Sequence, residues 1–370
     1  MKFDAIIIGG GIVGAACANR LSQEGLQIAL VEKDFIASGA TSAGMGHLVL
    51  MDDSEPQFAL TRLSLELWTR LEKVLPAECE YENCGTIWVA EDSAELETAE
   101  RKADFYAAAG CKARVINRKE LYRLEPNLRR GLAGGLLVRN EGVVYQLCAS
   151  KYFIDQAKAR GTSVFEGEKA MKIEGDTLVL GSGTTLVSDY FINAAGTAAA
   201  ELSPGLKITP RKGHLVITDR YPGFIFHQVL ELGYSKSAHQ DESESVAFNV
   251  QPRSTGQILV GSSRQPGEAG DRIDRKIVAK MMRRAFSYMP GLARLHALRV
   301  WQGKRPATPD NLPYIGRSPS NEKIIVAAGH EGLGITTSLG TAELVADELL
   351  GRESAIPRSP YSPTRLDVAI

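Results

Sequence analysis

This chain is short of the raw material for metal or dithiol chemistry. Its five cysteines, Cys17, Cys79, Cys84, Cys111 and Cys148, contain no C-x-x-C pair, and its six histidines are scattered without an H-x-x-x-H spacing. Neither pattern suggests a metal site, and the cysteines read as reduced thiols of a cytosolic protein. Long apolar runs are missing as well: none approaches the roughly 20 residues that span a bilayer. So is a surplus of either charge. With 43 Lys and Arg against 44 Asp and Glu, the net charge is −1, which gives no electrostatic case for nucleic acid or an anionic membrane. There is no internal repeat and no low-complexity stretch. What remains, 370 residues with 44% hydrophobic and 24% charged content, is an ordinary soluble globular composition, long for one domain and comfortable for two. The first strand-like segment begins at residue 3, which leaves no room for a signal or transit peptide. The expected place is the cytoplasm, with peripheral attachment to the inner membrane as the alternative.

What is present is concentrated at the start. Phe3–Ile8 reads as an apolar strand that runs into Gly9-Gly10-Gly11-Ile12-Val13-Gly14, a G-x-G-x-x-G pattern. A helical stretch follows, then a strand from Gln27 to Val31 ending in Glu32, 18 residues after Gly14. Each part serves a dinucleotide. Gly9 permits the tight turn, Gly11 lets backbone approach a pyrophosphate, and Gly14 lets helix and strand pack closely. The helix start offers unpaired N–H groups and a partial positive charge to phosphate, and Glu32 can accept hydrogen bonds from ribose hydroxyls. A structural glycine turn without ligand is the competing reading, and the ordered strand–glycines–helix–strand–acid series argues against it.

Further on, a small-residue loop (38–46) precedes a helix expected over about 55–75, capped by Ser54 with a core-facing stripe of Leu60, Leu63, Leu67, Trp68 and Leu71. Strands are expected at 85–89, 163–165, 177–180, 189–193, 214–217, 224–226, 246–250, 258–261 and 323–329. Helices are expected near 93–109, 148–160, 272–289 and 337–350, with an Asn117/Glu120 capping box opening a short one that ends before Pro126. The layout predicts an α/β fold with a discontinuous nucleotide-binding domain and an antiparallel, β-rich second domain.

Together these motifs resemble the FAD-dependent D-amino acid oxidase superfamily, which includes glycine oxidase, sarcosine oxidase and bacterial D-amino acid dehydrogenases. Five segments carry the resemblance: the fingerprint with Glu32; Ser38–Gly46; Asn193-Ala194-Ala195-Gly196; Trp301–Gly316 with its Gly303-Lys304-Arg305-Pro306; and Ala328–Ile335. It implies a Rossmann-like FAD-binding domain of the glutathione-reductase-2 type (1–75, 147–207 and 300–370) and an α+β substrate-binding domain (76–146 and 208–299). By the same resemblance, FAD is held without a covalent bond, since 301–316 contains no cysteine and His47 does not align with the linking histidine of some relatives. The cofactor-binding set it implies is Gly9, Gly11, Ile12, Val13, Gly14, Glu32, Lys33, Ser38, Thr41, Ser42, Gly44, Met45, Gly46, Ala195, Gly196, Gly303, Arg305, Gly329, Gly332, Leu333, Gly334, Ile335 and Thr336.

The implied reaction moves the α-hydrogen of an amino acid to the flavin as hydride and leaves an imine. Arg305, as an Arg-Pro at a strand start, is expected to clamp the carboxylate, because a guanidinium presents two parallel donors to it. His47, Arg264 and Asn249 are expected to face the substrate. The backbone N–H groups of Gly332–Thr336 are expected at the flavin pyrimidine edge. Glycine oxidases carry a further arginine after the Ala-Gly-His of the fifth segment, where this chain has Glu331-Gly332, and Arg264 stands where relatives often have an apolar residue. Segments 44–53 and 261–265 look most like bacterial D-hydroxyproline dehydrogenases and relatives of hydrogen cyanide synthase flavoprotein subunits. The expected substrate is therefore cis-4-hydroxy-D-proline or a D-proline-like secondary amine. A glycine or sarcosine oxidase, or the flavoprotein subunit of a hetero-oligomeric dehydrogenase, is the alternative. The electron acceptor is left open among a quinone, an electron-transfer protein and O₂, as is the choice between homo- and hetero-oligomer. An NADPH-dependent aromatic hydroxylase would need a late Gly-Asp-Ala motif that is absent, and a tRNA-modifying flavoenzyme a basic extension that is also absent.

Overall fold

The computed structural model describes residues 2–233, 244–267 and 270–366. Ile6, Ile7 and Ile8 have no polar face to turn to water, and their strand, Lys2–Ile8, is accordingly central and buried on both sides. It pairs in parallel with Ile28–Glu32 and with Thr185–Asn193. Ser163–Glu166 and Asn321–Ala328 extend the parallel set, and Tyr314–Ser318 closes one edge antiparallel. Ala170–Glu174 and Thr177–Leu180 form an antiparallel flap on this first sheet.

The second sheet runs Ala297–Ala307, Thr209–Thr218, Ile258–Pro266, Ser245–Pro252, Gln228–Glu231, Thr86–Ala90, Gly134–Val138, Ala113–Asn117. It is antiparallel as expected, except that Gln228–Glu231 and Thr86–Ala90 run parallel. Residues 300–307, read above as nucleotide-binding chain, belong to this second sheet. Arg305 therefore sits near the end of an 11-residue strand, not at a strand start.

Two expectations from local pattern are corrected. Residues 224–226 form no strand, because the N–H groups of Phe226 and His227 donate to the buried carboxylate of Glu125 at 2.9 and 2.7 Å. A side chain has taken the donors a ladder would use. The long helix is Glu55–Leu71, and its buried face is Phe58, Leu60, Thr61, Ser64, Leu65 and Trp68, with Leu63, Leu67 and Leu71 half-buried. The rotation follows from polar contacts to the C-terminal helix Gly334–Leu350: Ser64 Oγ accepts from Gly340 N at 2.9 Å, and Trp68 Nε1 donates to the Thr336 carbonyl at 3.2 Å. The caps behave as their sequences suggest. Ser54 accepts from Gln57 N and Asn117 from Glu120 N, although Glu120 gives its carboxylate to Arg114 rather than back to the cap. No helix among the described residues is long and apolar enough to cross a membrane.

Candidate active site

The nucleotide end is built by strand ends and one helix. Lys2–Ile8 stops at Gly9, whose φ of +107° suits glycine, and a Cβ there would lie 2.4 Å from the Ala194 carbonyl of the neighbouring strand's end. The chain then enters helix Ile12–Gln23, which starts at Gly11 without a side-chain cap. Its first N–H, that of Ile12, donates instead to Thr41 Oγ at 3.0 Å, so the small-residue loop is tied to the fingerprint. Glu32, buried at the end of its strand, accepts from the N–H of Gly10 at 2.6 Å and of Asp34 at 2.9 Å. That fixes the carboxylate beside the turn.

A cavity of about 340 Å³ runs from Glu32 past Gly9–Val13 and the 38–45 loop to Arg305 and Asn249 on the second sheet. Most of the expected residues line it. Five do not: Gly14, Ser42, Gly46, Gly329 and Thr336. Gly14 packs helix on strand, since a Cβ would come within 1.9 Å of the Gly9 carbonyl. Ser42 donates back to Ser38 O at 2.7 Å, inside a short helix Ala40–Ala43 that the loop reading missed. Gly46 packs against the Val144 carbonyl, Gly329 against Thr308, and Thr336 donates to His47 O at 3.0 Å.

At the far end the second sheet supplies charge. Arg305 lies across the neighbouring strand over Gly213, where a Cβ would meet its guanidinium nitrogens at 2.6 Å, and Nη1 donates to Ser263 O at 3.0 Å one strand further on. Register places Arg211 directly opposite Arg305. Like charges in that position repel, and Glu331 supplies the counter-charge. Its carboxylate is 3.3 Å from Arg211 and 3.7 Å from Arg264, with its side chain 7% exposed, and it also accepts from Gly332 N. Burial alone would push its pKa up, but the Arg264, Arg305 and Arg211 guanidiniums outweigh burial and hold it at about 2.

Arg211 and the pairing role of Glu331 were not read from the sequence. The signal available was the basic Arg211-Lys212 opening a strand ahead of Gly213, which has meaning only once its cross-strand partner is known. Because the folded-state pKa is depressed, the stabilisation by Glu331 is present above its unfolded value near 4.5 and is lost as pH falls toward 2. Glu331→Gln should therefore cost roughly 1–3 kcal/mol at pH 7, with the gap to the parent shrinking by pH 3. Urea melts at both pH values check this, and a gap independent of pH would refute it.

His47 lines the same end, with Nδ1 buried and without a hydrogen-bond partner among the described residues. Burial first, then Arg305, lowers its pKa to about 4, so the ring is neutral at pH 7. Beside His47, tied to it through Thr336, the helix Gly334–Leu350 begins without a side-chain cap, and Gly332 to Ile335 line the cavity. Between the ends the wall is closely packed: Gly303 lies against Ala43, whose Cβ would be 2.3 Å from a Cβ at 303, and Gly44 against Ile335.

These features fit FAD. Two helix starts open on one cavity, neither capped by its own N-cap side chain, with a carboxylate at the nucleotide end and glycines closely packed in the wall between. The residues that would hold it are Glu32, the Gly9–Val13 turn with Thr41, and the N–H groups of Gly334 and Ile335, since those of Gly332 and Leu333 already donate to Glu331 and to His330 O. None of the five cysteines lines the cavity, and no cluster of metal-ligating side chains occurs among the described residues.

Comparison with known proteins agrees. The profile of the DAO family, described as FAD dependent oxidoreductase, matches residues 4–348. The glycine oxidase of Bacillus licheniformis is 27% identical over 374 residues, covering 95% of this chain and 94% of that protein. The hydrogen cyanide synthase subunit HcnC of Pseudomonas protegens is 26% identical over 408 residues, covering 95% and 93%. Among solved structures, glycine oxidase from Geobacillus kaustophilus superposes with a TM-score of 0.88 at 27% identity, covering 98% of this chain and 99% of that one. L-proline dehydrogenase from P. horikoshii reaches 0.90 at 22% identity, covering 99% and 98%, a likeness of fold alone.

Proposed function

The chain belongs to the DAO family of FAD-dependent oxidoreductases, and from that premise we propose that it oxidises the Cα–N bond of a small amino acid. A D-proline-like secondary amine such as cis-4-hydroxy-D-proline is the favoured substrate. The observation that carries the reading is Arg305, stretched over Gly213 at the end of the cavity opposite the nucleotide turn. It offers a carboxylate a positioned guanidinium. Met45 and Leu215 give the substrate an apolar wall beside it. Glu331, tied to Arg211 and Arg264 where glycine oxidases have an arginine, supports a substrate other than glycine.

Bound FAD would take up the two electrons of the substrate's Cα–H bond. The protein's own part is to hold the carboxylate at Arg305, to keep the neutral His47 at the same end, and to set the N–H groups of Gly334 and Ile335 where they stabilise negative charge. The 27% identity to a glycine oxidase over nearly the full length keeps a glycine or sarcosine oxidase as the second reading. Likeness to a protein named as a synthase subunit supports work inside a hetero-oligomer, with a quinone, an electron-transfer protein or O₂ as acceptor.

The test is anaerobic bleaching of the flavin by D- and L-amino acids, glycine, sarcosine and the D-hydroxyproline isomers. D-proline-type substrates should bleach it fastest. Bleaching by glycine or sarcosine alone would overturn the substrate, and bleaching by none would overturn the reading. Acid precipitation should release all yellow colour to the supernatant, as expected of FAD held without a covalent bond.

A further inference from the structure

We infer that the side-chain amide of Asn249 receives the amino nitrogen of the substrate. The inference rests on the proposal above that the substrate is an amino acid. Asn249 lies in strand Ser245–Pro252, is 1% exposed and lines the cavity. Its Oδ1 has no hydrogen-bond partner among the described residues. An amide oxygen buried in that way costs about 1–3 kcal/mol, a cost relieved when something in the cavity donates to it. The residues beside it have other employment. Phe248 N donates to the Glu231 carboxylate at 2.6 Å, and Gln251, on the same face as Asn249 by strand alternation, donates from Nε2 to Met45 O at 2.6 Å.

Geometry sets which part of the substrate arrives there. The Arg305 guanidinium crosses the strand Thr209–Thr218 over Gly213 and ends at Ser263 O on strand Ile258–Pro266. Asn249 is on the next strand, opposite Gly261 and thus two residues along from Ser263. With strands about 4.8 Å apart and about 3.3 Å of rise per residue, the guanidinium and the Asn249 backbone are separated by roughly 8 Å. An α-amino acid bridges that span when its carboxylate sits on Arg305 and its nitrogen on the amide oxygen. Met45 and Leu215, which would lie 3.1 and 2.8 Å from a Cβ at Gly261, give its carbon atoms an apolar floor. Glu331 is already engaged with Arg211, Arg264 and Gly332 N; of the two neutral groups at this end with an unpartnered atom, His47 Nδ1 and Asn249 Oδ1, the amide is the one carried on the same sheet as Arg305 and Ser263. A neutral acceptor binds N–H without the added charge that would hold the nitrogen as ammonium.

The experiment uses FAD-loaded protein and two ligands: the amino acid that reduces the flavin fastest in the panel above, and the carboxylic acid of the same skeleton lacking the nitrogen. The amino acid's Kd is read from saturation of anaerobic reduction, and that of the analogue from its perturbation of the flavin absorbance. Asn249→Leu should weaken the amino acid about 10- to 100-fold and leave the analogue within about twofold. Asn249→Asp, which keeps an acceptor and adds charge, should bind the amino acid at least as tightly as the parent and move the pH at which reduction sets in upward, since the carboxylate holds the nitrogen as ammonium. Should the leucine variant fail to retain FAD, Asn249→Ala is read by the same criteria. Equal weakening of both ligands, or no change in either, overturns the inference while the proposed function stands. A parent reduced by no amino acid overturns both.

Discussion

Arg305→Ala should lower kred/Kd for anaerobic flavin reduction about 10²- to 10³-fold, while the protein still folds and binds FAD in full. The magnitude is that of a two-pronged, charge-assisted hydrogen bond, about 3–4 kcal/mol. The selectivity follows from where Arg305 stands: it reaches over Gly213 to Ser263 O at the end of the cavity away from the nucleotide turn, and Glu331 retains Arg211 and Arg264 when it is gone. Arg305→Lys should recover only part of the loss, since an ammonium cannot present the planar fork. Stopped-flow reduction, together with the ratio of absorbance at 450 and 280 nm, checks both halves. An alanine variant reduced at the parental rate would remove Arg305 from the site.

The second large effect separates two glycines of one motif. A Cβ on Gly11 would meet nothing closer than Thr41 Oγ at 3.2 Å, and the residue lines the cavity. Gly11→Val should therefore fold, melt close to the parent and lose FAD, with affinity down at least about 100-fold, because the branched side chain fills the cradle rather than the core. A Cβ on Gly14 would stand 1.9 Å from the Gly9 carbonyl, a backbone atom that cannot swing aside. Gly14→Val should be destabilised by about 3 kcal/mol or more and be recovered poorly folded whether or not FAD is supplied. Thermal melts and flavin content of the two variants decide this. A yellow Gly11→Val protein with parental stoichiometry would contradict the assignment of the turn to the cofactor.

How much of this could be read in advance depended on the range of the interaction. The fingerprint turn was legible because its parts are adjacent in sequence and each has its own steric reason. Glu32 was legible because strand length fixes its place. The capping residues Ser54 and Asn117 were legible for the same local reason. The segment 224–226 was not, because the group that claims its backbone, Glu125, lies about a hundred positions earlier. Arg305 could be chosen by resemblance, yet its reach over Gly213 and the balancing of Arg211 by Glu331 depend on cross-strand register. No local pattern encodes that register. Gly46, Gly329 and Thr336 shape the loops around the cavity and do not line it, a distinction that depends on how those loops pack and not on their local sequence.

The order of the first sheet also bears on how the chain is made. Lys2–Ile8 is flanked by Ile28–Glu32, within reach at once, and by Thr185–Asn193, which in turn pairs with Asn321–Ala328. During synthesis the opening strand is thus out early with one neighbour and must wait for the other until half the polypeptide has left the ribosome. Its next layer waits until nearly all of it has. Partners so remote make folding slow, and a nascent apolar edge left open for that long is a natural client for chaperones.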